Sequence, residues 1–212
     1  MNEILLTILA GVPITLLLTA GALVVGVLGG IPLVAARQSR AAILRLPARA
    51  TIELLRGIPP IVWLFIIFFG LGTYVRLDAM SAAAIGLGLI SCAYLAEIYR
   101  GGLAAIAKGQ WEASAALGMP RTATLTRVIG PQVGRVCIPA AASYAIGLLK
   151  DTSVAFTIGV TEILYWANDQ SRETSDAFWP FVLAAVVYIV MTIPCAWAAR
   201  ALDASLRKRV AR

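Results

Sequence analysis

Long uncharged, apolar runs separated by short charged stretches dominate this chain. Residues 4–36, 57–75, 79–96 and 177–199 contain no Asp, Glu, Lys or Arg. Residues 136–149 are also uncharged, Lys150-Asp151 interrupts, and 152–161 continue apolar. About 20 apolar residues carry a helix across a hydrocarbon core roughly 30 Å thick. The pattern therefore predicts five membrane-spanning helices, the fourth containing a charged pair. The fold class is all-α, a polytopic membrane protein, and residues 1–212 form a single transmembrane domain.

Composition agrees. Of 212 residues, 60% are hydrophobic and only 14% charged, against about 25% charged in soluble domains. Mean hydropathy is +0.85. A soluble core in so short a chain cannot hide this much apolar surface, so the excess faces lipid. The formal net charge is +7, but the basic residues lie between apolar runs and form no stripe interleaved with aromatics, which argues against nucleic acid. The start, Met1-Asn2-Glu3, lacks the basic region of a secretory signal, so the first run is expected to be retained. Cys92, Cys137 and Cys195 fit neither metal-ligand nor disulfide spacing and are expected to be buried free thiols. With no histidine in the chain, imidazole catalysis is excluded and no metal site is expected.

Charge placement orients the spans. Arg37, Arg40, Arg45, Arg49 and Arg56 follow the first. Arg100, Lys108, Arg121, Arg127 and Arg135 follow the third, and Arg200, Arg207, Lys208, Arg209 and Arg212 follow the fifth. Only Arg76, Lys150 and Arg172 remain of the 18 basic residues. Basic residues concentrate on the cytoplasmic side, which predicts an external N-terminus and a cytoplasmic C-terminus. Runs of small residues, such as 81–88, read as helix-packing faces.

The loop at about 100–135 is the longest. Residues 111–117 favour helix, Gly118-Met119-Pro120 breaks it, 122–129 can form a second short helix, and Gly130-Pro131 ends that one. A cytoplasmic helix–turn–helix hairpin is expected.

This loop resembles the EAA loop of binding-protein-dependent ABC importer permeases: Glu-Ala-Ala, three residues, Gly, nine residues, Ile, one residue, Leu-Pro. Here those positions hold Glu112-Ala113-Ser114, Gly118, Val128 and Gly130-Pro131. Gly130 in place of Leu is the largest departure. Arg56-Gly57-Ile58-Pro59, the run 93–102, Lys108-Gly109-Gln110-Trp111-Glu112 and Leu149-Lys150-Asp151-Thr152-Ser153 are similar to the polar amino acid branch of that family. The resemblance implies that Glu112, Ala113, Ser114, Gly118 and Pro131 couple the chain to an ATPase. It also implies two ATPase subunits carrying ATP and Mg, a second permease chain, identical or related, and an extracytoplasmic substrate-binding protein. The implied localisation is the bacterial inner membrane. This chain lacks a phosphate-cradling G-x-x-x-x-G-K-[ST]: the nearest stretch, 102–108, has Ala107 where the second Gly belongs. It is read as no enzyme itself, binding no cofactor and converting a partner's motion.

Ionisable groups within spans point to function by default. Lys150 and Asp151 are adjacent, hence about 100° apart on a helix, and do not face each other. Either they staple helices through other partners, or with Thr152, Ser153 and Glu97 they line a pathway for a zwitterion. Glu97 with Arg100 and Glu53 with Arg56, each three apart, read as interfacial salt bridges. The function expected is a permease for a polar amino acid. The alternatives are a compatible solute or opine permease of the same class, an ion-coupled secondary transporter or channel, and a membrane anchor. A secondary transporter or channel would need no docking loop, and a membrane anchor explains the spans but neither the hairpin nor Lys150-Asp151.

Overall fold

The computed structural model describes residues 2–176 and 178–208, and among these no strand occurs. The basic tail residues Arg209 and Arg212 lie outside the described residues. Two consecutive helices, α1 (Asn2–Leu9) and α2 (Val12–Arg37), form the first long apolar element. Then come α3 (Ala42–Gly57) and α4 (Pro60–Phe65), which continues through a π turn, Ile66–Gly70, and a 3-10 turn, Leu71–Thr73. Asp78 caps α5 (Ala79–Ala104) by accepting a hydrogen bond from the Ser81 amide at 3.3 Å. The short α6 (Lys108–Ala116) precedes α7 (Arg121–Ala123), a π segment (Thr124–Ile129), α8 (Gly130–Asp151) and a 3-10 segment (Thr152–Ile158). The chain ends in α9 (Ile163–Glu173) and α10 (Trp179–Lys208).

Among the described residues, four helices are long and apolar enough to cross a membrane: Asn2–Arg37, Ala79–Ala104, Arg121–Ile158 and Trp179–Ser205. Helices α3 and α4, bent by 105°, supply the fifth when taken together. The charged stretch 37–56, expected as a loop, instead holds most of α3, an amphipathic helix. Ala48, Ile52 and Leu55, spaced four and three apart, are its buried stripe. It packs beside Val34, Ala93 and Ala96, which carries Arg56 to the end of α5.

Small residues set the closeness of α2 and α5. A Cβ on Gly26 would lie 2.6 Å from that of Ser91, so no larger residue fits without moving the backbone. Leu18, Ala22, Leu64, Leu87 and Leu148 gather α2, α4, α5 and α8 into one core. Ile8, Ile163, Ala167, Ala184 and Val187 form another among α1, α9 and α10. Helix α10 is different: only 11% of its most apolar stretch is buried within the chain. Val186, Ile189, Val190, Ile193 and Trp197 are exposed on it, so it faces lipid or another chain.

The thiols are free but not uniformly buried. Cys137 is buried and Cys92 half-buried, whereas Cys195 is exposed, because it sits on α10, which the rest of the chain does not cover.

Candidate functional site

Helix α6 lies between the end of α5 and the start of α7, on the short segment joining two spans. Glu112 and Ala113 are exposed, while Ser114 turns inward, 3% exposed, with its Oγ donating to the Gln110 carbonyl at 2.8 Å. Ser114 therefore seats the helix rather than presenting a surface. The C-terminus of α6 is fixed by two reverse bonds, Met119 N to Ser114 O (3.1 Å) and Gly118 N to Ala115 O (3.0 Å). This is a Schellman turn, which requires the left-handed conformation at its penultimate residue. Gly118 supplies it, with φ +66°. Gln132 Nε2 donates to Gln110 Oε1 at 3.1 Å, tying α6 to the first turn of α8.

The second half of the expected hairpin is not a separate helix. Residues 121–158 form one helical span, because the break expected at Gly130-Pro131 is absorbed by the π segment before it. Proline lacks an amide proton and its ring crowds the carbonyl four residues back. The wider turn relieves this by letting the Gly130 amide reach the Leu125 carbonyl, five residues back. A Cβ at 130 would lie 2.7 Å from that carbonyl oxygen. Glycine in place of leucine is therefore what this turn demands. Pro131 is exposed in the first turn of α8.

At the same end of the bundle, Glu97 is the centre of a basic cluster. Arg100 Nε donates to Oε1 at 2.6 Å, Arg37 Nη1 donates to Oε2, and Arg56 Nη1 stands 3.9 Å from Oε2. The expected pairing with Arg100 is present. The expected pairing of Glu53 with Arg56 is not: Glu53 accepts from Arg49 at 2.7 Å, one turn away on the exposed face of α3, and Arg56 turns to Glu97. Arg56 also lies over the ring of Tyr94 at 5.0 Å. Tyr94 in turn stacks on Tyr144 at 5.0 Å, and the Tyr144 hydroxyl is 2.8 Å from Ser91 Oγ.

This polar and aromatic ladder leads along α8 towards Lys150 and Asp151. Both are exposed, and among the described residues neither makes an ion pair within 4 Å. Within this chain, then, they staple nothing. Glu97 does not join them. The α-helix persists through Asp151 and tightens to 3-10 at Thr152, which is fully buried and donates from Oγ1 to the Leu149 carbonyl at 2.7 Å. Ser153 is half-buried beside it.

The sequence reading missed Tyr94, Tyr144 and Ser91, which look like ordinary span residues. It also missed Glu162. That carboxylate is fully buried, accepting from the Tyr188 hydroxyl at 2.6 Å and from the Tyr165 amide at 2.8 Å, where it caps α9. Burial pushes its pKa up, against the pull of the Tyr188 and backbone hydrogen bonds. The available signal was a lone acid between Asp151 and Asp169 in an otherwise apolar stretch.

Residues 22–208 match the family model described as the binding-protein-dependent transport system inner membrane component. The probable amino-acid permease protein YxeN of Bacillus subtilis (strain 168) is 36% identical over 191 residues, covering 88% of this chain and 85% of that protein. The octopine transport system permease protein OccM of Rhizobium meliloti is 35% identical over 199 residues, covering 89% and 81%. The solved structure of an amino acid ABC transporter with histidines superposes with a TM-score of 0.89 at 31% identity, covering 94% of both chains. A bundle of apolar helices with an exposed, capped helix between two spans, matched over nearly its whole length, places this multi-pass chain among the inner-membrane components of binding-protein-dependent transport systems, the family to which it belongs.

Proposed function

We propose that this chain is the permease subunit of an ATP-driven importer for a polar amino acid. The observation that carries the reading is the Lys150–Asp151 pair. It presents opposite charges side by side on a span, exposed, with no ion-pair partner among the described residues. A desolvated ammonium or carboxylate costs several kcal/mol unless compensated. A zwitterion in transit supplies both countercharges, its ammonium to Asp151 and its carboxylate to Lys150. Relatives named as amino-acid permeases support the substrate class.

The pathway lies between this chain and a second permease chain, which covers Lys150, Asp151 and part of α10. The N-terminus faces outward, where a binding protein delivers the solute. Helix α6 and the C-terminus face the cytoplasm. There Glu112, Ala113 and Gly118 meet an ATPase subunit, one for each permease chain, which holds ATP and Mg and does the hydrolysis.

The test is uptake of labelled amino acids into proteoliposomes containing the permease, its ATPase and its binding protein. Lys150→Met and Asp151→Asn are each expected to assemble normally and lose at least about tenfold in uptake, the value of one charge-assisted contact. Wild-type affinity and rate in Asp151→Asn would remove that residue from the pathway. The octopine permease relative favours an opine as the second reading, and an opine that outcompetes every amino acid in the same assay establishes it. Orientation is checked with an impermeant thiol reagent on Ala116→Cys and Gln170→Cys in a cysteine-free background. Labelling is expected from outside at 170 and not at 116, and the reverse result inverts the topology.

A further inference from the structure

One groove on the outside of the bundle has no part in transport as described above. At the α6 end, a cavity of about 550 Å³ is walled by Arg37, Arg100 and Arg121, with Trp111 beside them and no acidic side chain in its lining. Ile31, Val34, Leu103 and Leu125 line this cavity. The same four line a second one of about 370 Å³ that continues past Ile129 and Gly134 to Cys137. The two are one groove, basic at its mouth and apolar along its length.

Positive charge at the mouth is in excess. Among the described residues the only carboxylate within 4 Å of Arg37 and Arg100 is Glu97, which Arg56 also approaches, and Arg121 has none. The apolar part belongs to the lipid-facing surface: Ile31 is 55% exposed, on the same helix as exposed Val24 and Leu28. From Leu125 to Cys137 the groove follows the helix for about 18 Å, close to the roughly 15 Å depth of one leaflet's hydrocarbon. A free anion would use only the mouth, and a lipid without a phosphate only the length. Arginines at the headgroup level with an interfacial tryptophan and an apolar furrow behind them complement a headgroup phosphate attached to an acyl chain.

We propose that this groove is a binding site for an anionic phospholipid in the leaflet on the α6 side. The phosphate sits among Arg37, Arg100 and Arg121, and one acyl chain lies along Leu125 to Cys137. The lipid then rests against Trp111 on the inward side of α6, opposite the surface of Glu112 and Ala113, so lipid and ATPase occupy different faces of that helix. This site depends on the chain crossing a membrane, and on neither the solute nor the direction of transport.

Native mass spectrometry of the full chain, purified in detergent and titrated with phosphatidylglycerol, measures it directly. Phosphatidylcholine with the same acyl chains carries the same phosphate together with a choline cation, which the surplus arginine charge repels, and is expected to bind at least about tenfold more weakly. Arg121→Gln should weaken phosphatidylglycerol to a similar degree. So should Gly134→Leu, which fills the apolar furrow at a position where a Cβ meets nothing within 4 Å. Equal binding of the two lipids by the unaltered chain overturns the proposal, and this arm decides even if a variant fails to fold. So does undiminished binding in both folded variants. Displacement of phosphatidylglycerol by an equal concentration of inorganic phosphate also overturns it, in favour of a free-anion site.

Discussion

Glu97 and Asp151 both stand on membrane-spanning helices, and the chain treats them in opposite ways. Glu97, on α5, has Arg37, Arg56 and Arg100 around it, and its side chain is 19% exposed. Asp151, on α8, is exposed, with no ion pair within 4 Å among the described residues. A charge at membrane depth is expensive unless answered. The first acid is answered inside the chain and holds α2, α3 and α5 together. The second has no such answer among the described residues. The same chemical group serves structure in one place and is available for recognition in the other, and the neighbouring guanidiniums decide which.

The largest effect should come from Glu97→Ala, which leaves three guanidiniums facing one another. Breaking a fully buried pair costs 3–5 kcal/mol. With the residual exposure of Glu97, a loss of about 2–3 kcal/mol is expected, read as a lowered midpoint of thermal unfolding in detergent. An unchanged midpoint would dissolve the contrast with Asp151. Gly118→Val comes next. A β-branched residue in the left-handed conformation costs about 1–2 kcal/mol, and by distorting the end of α6 it should reduce co-purification of the ATPase. Retention of the ATPase at wild-type yield would detach that helix from coupling.

Glu162 is an acid buried with no ion pair within 4 Å among the described residues. Its folded pKa is raised above the ordinary 4.5 by burial, so the folded state binds the proton more tightly than the unfolded. Stability therefore falls as pH rises from about the ordinary value through the raised one. Glu162→Gln keeps an oxygen to accept from the Tyr165 amide and presents its own amide to the Tyr188 hydroxyl oxygen, and it should flatten the pH dependence of the unfolding midpoint above the ordinary carboxylate range. An equally steep profile in the variant would place the titration elsewhere. The smallest effect belongs to Asp151→Asn, expected to move stability by less than about 0.5 kcal/mol while uptake falls. A midpoint shift as large as that of Glu97→Ala would make Asp151 a structural residue after all.

Much of this was legible in the sequence because lipid imposes a one-dimensional rule. Spans must be long, apolar and helical, so the described parts of the runs at 4–36, 79–96 and 177–199 correspond to helices with little ambiguity. Gly118 was legible because a motif glycine two residues before a proline has few structural uses. The loops were less so. Helix α3 hides between five arginines, and its stripe of Ala48, Ile52 and Leu55 is too sparse to stand out from the charges. Gly130-Pro131 reads as a stop because local propensity cannot show that a wider turn carries the helix past a proline. The true partner of Arg56 depends on the angle between α3 and α4, which no local pattern sets. Tyr94 and Tyr144 meet only because two helices distant in sequence pack in one register.

The π segment at Thr124–Ile129 amounts to surplus chain in an otherwise regular rod. A single surplus residue offsets the phase of everything beyond it by about 100°. That offset sets the direction in which Lys150 and Asp151 point relative to α6. Deleting one residue there would turn both charges by about 100° to a different compass bearing, with the rest of the span's sequence unchanged. The turn works like the notch that fixes a key's rotation in its barrel: it sits about twenty residues from the charged pair, yet it sets which way that pair faces.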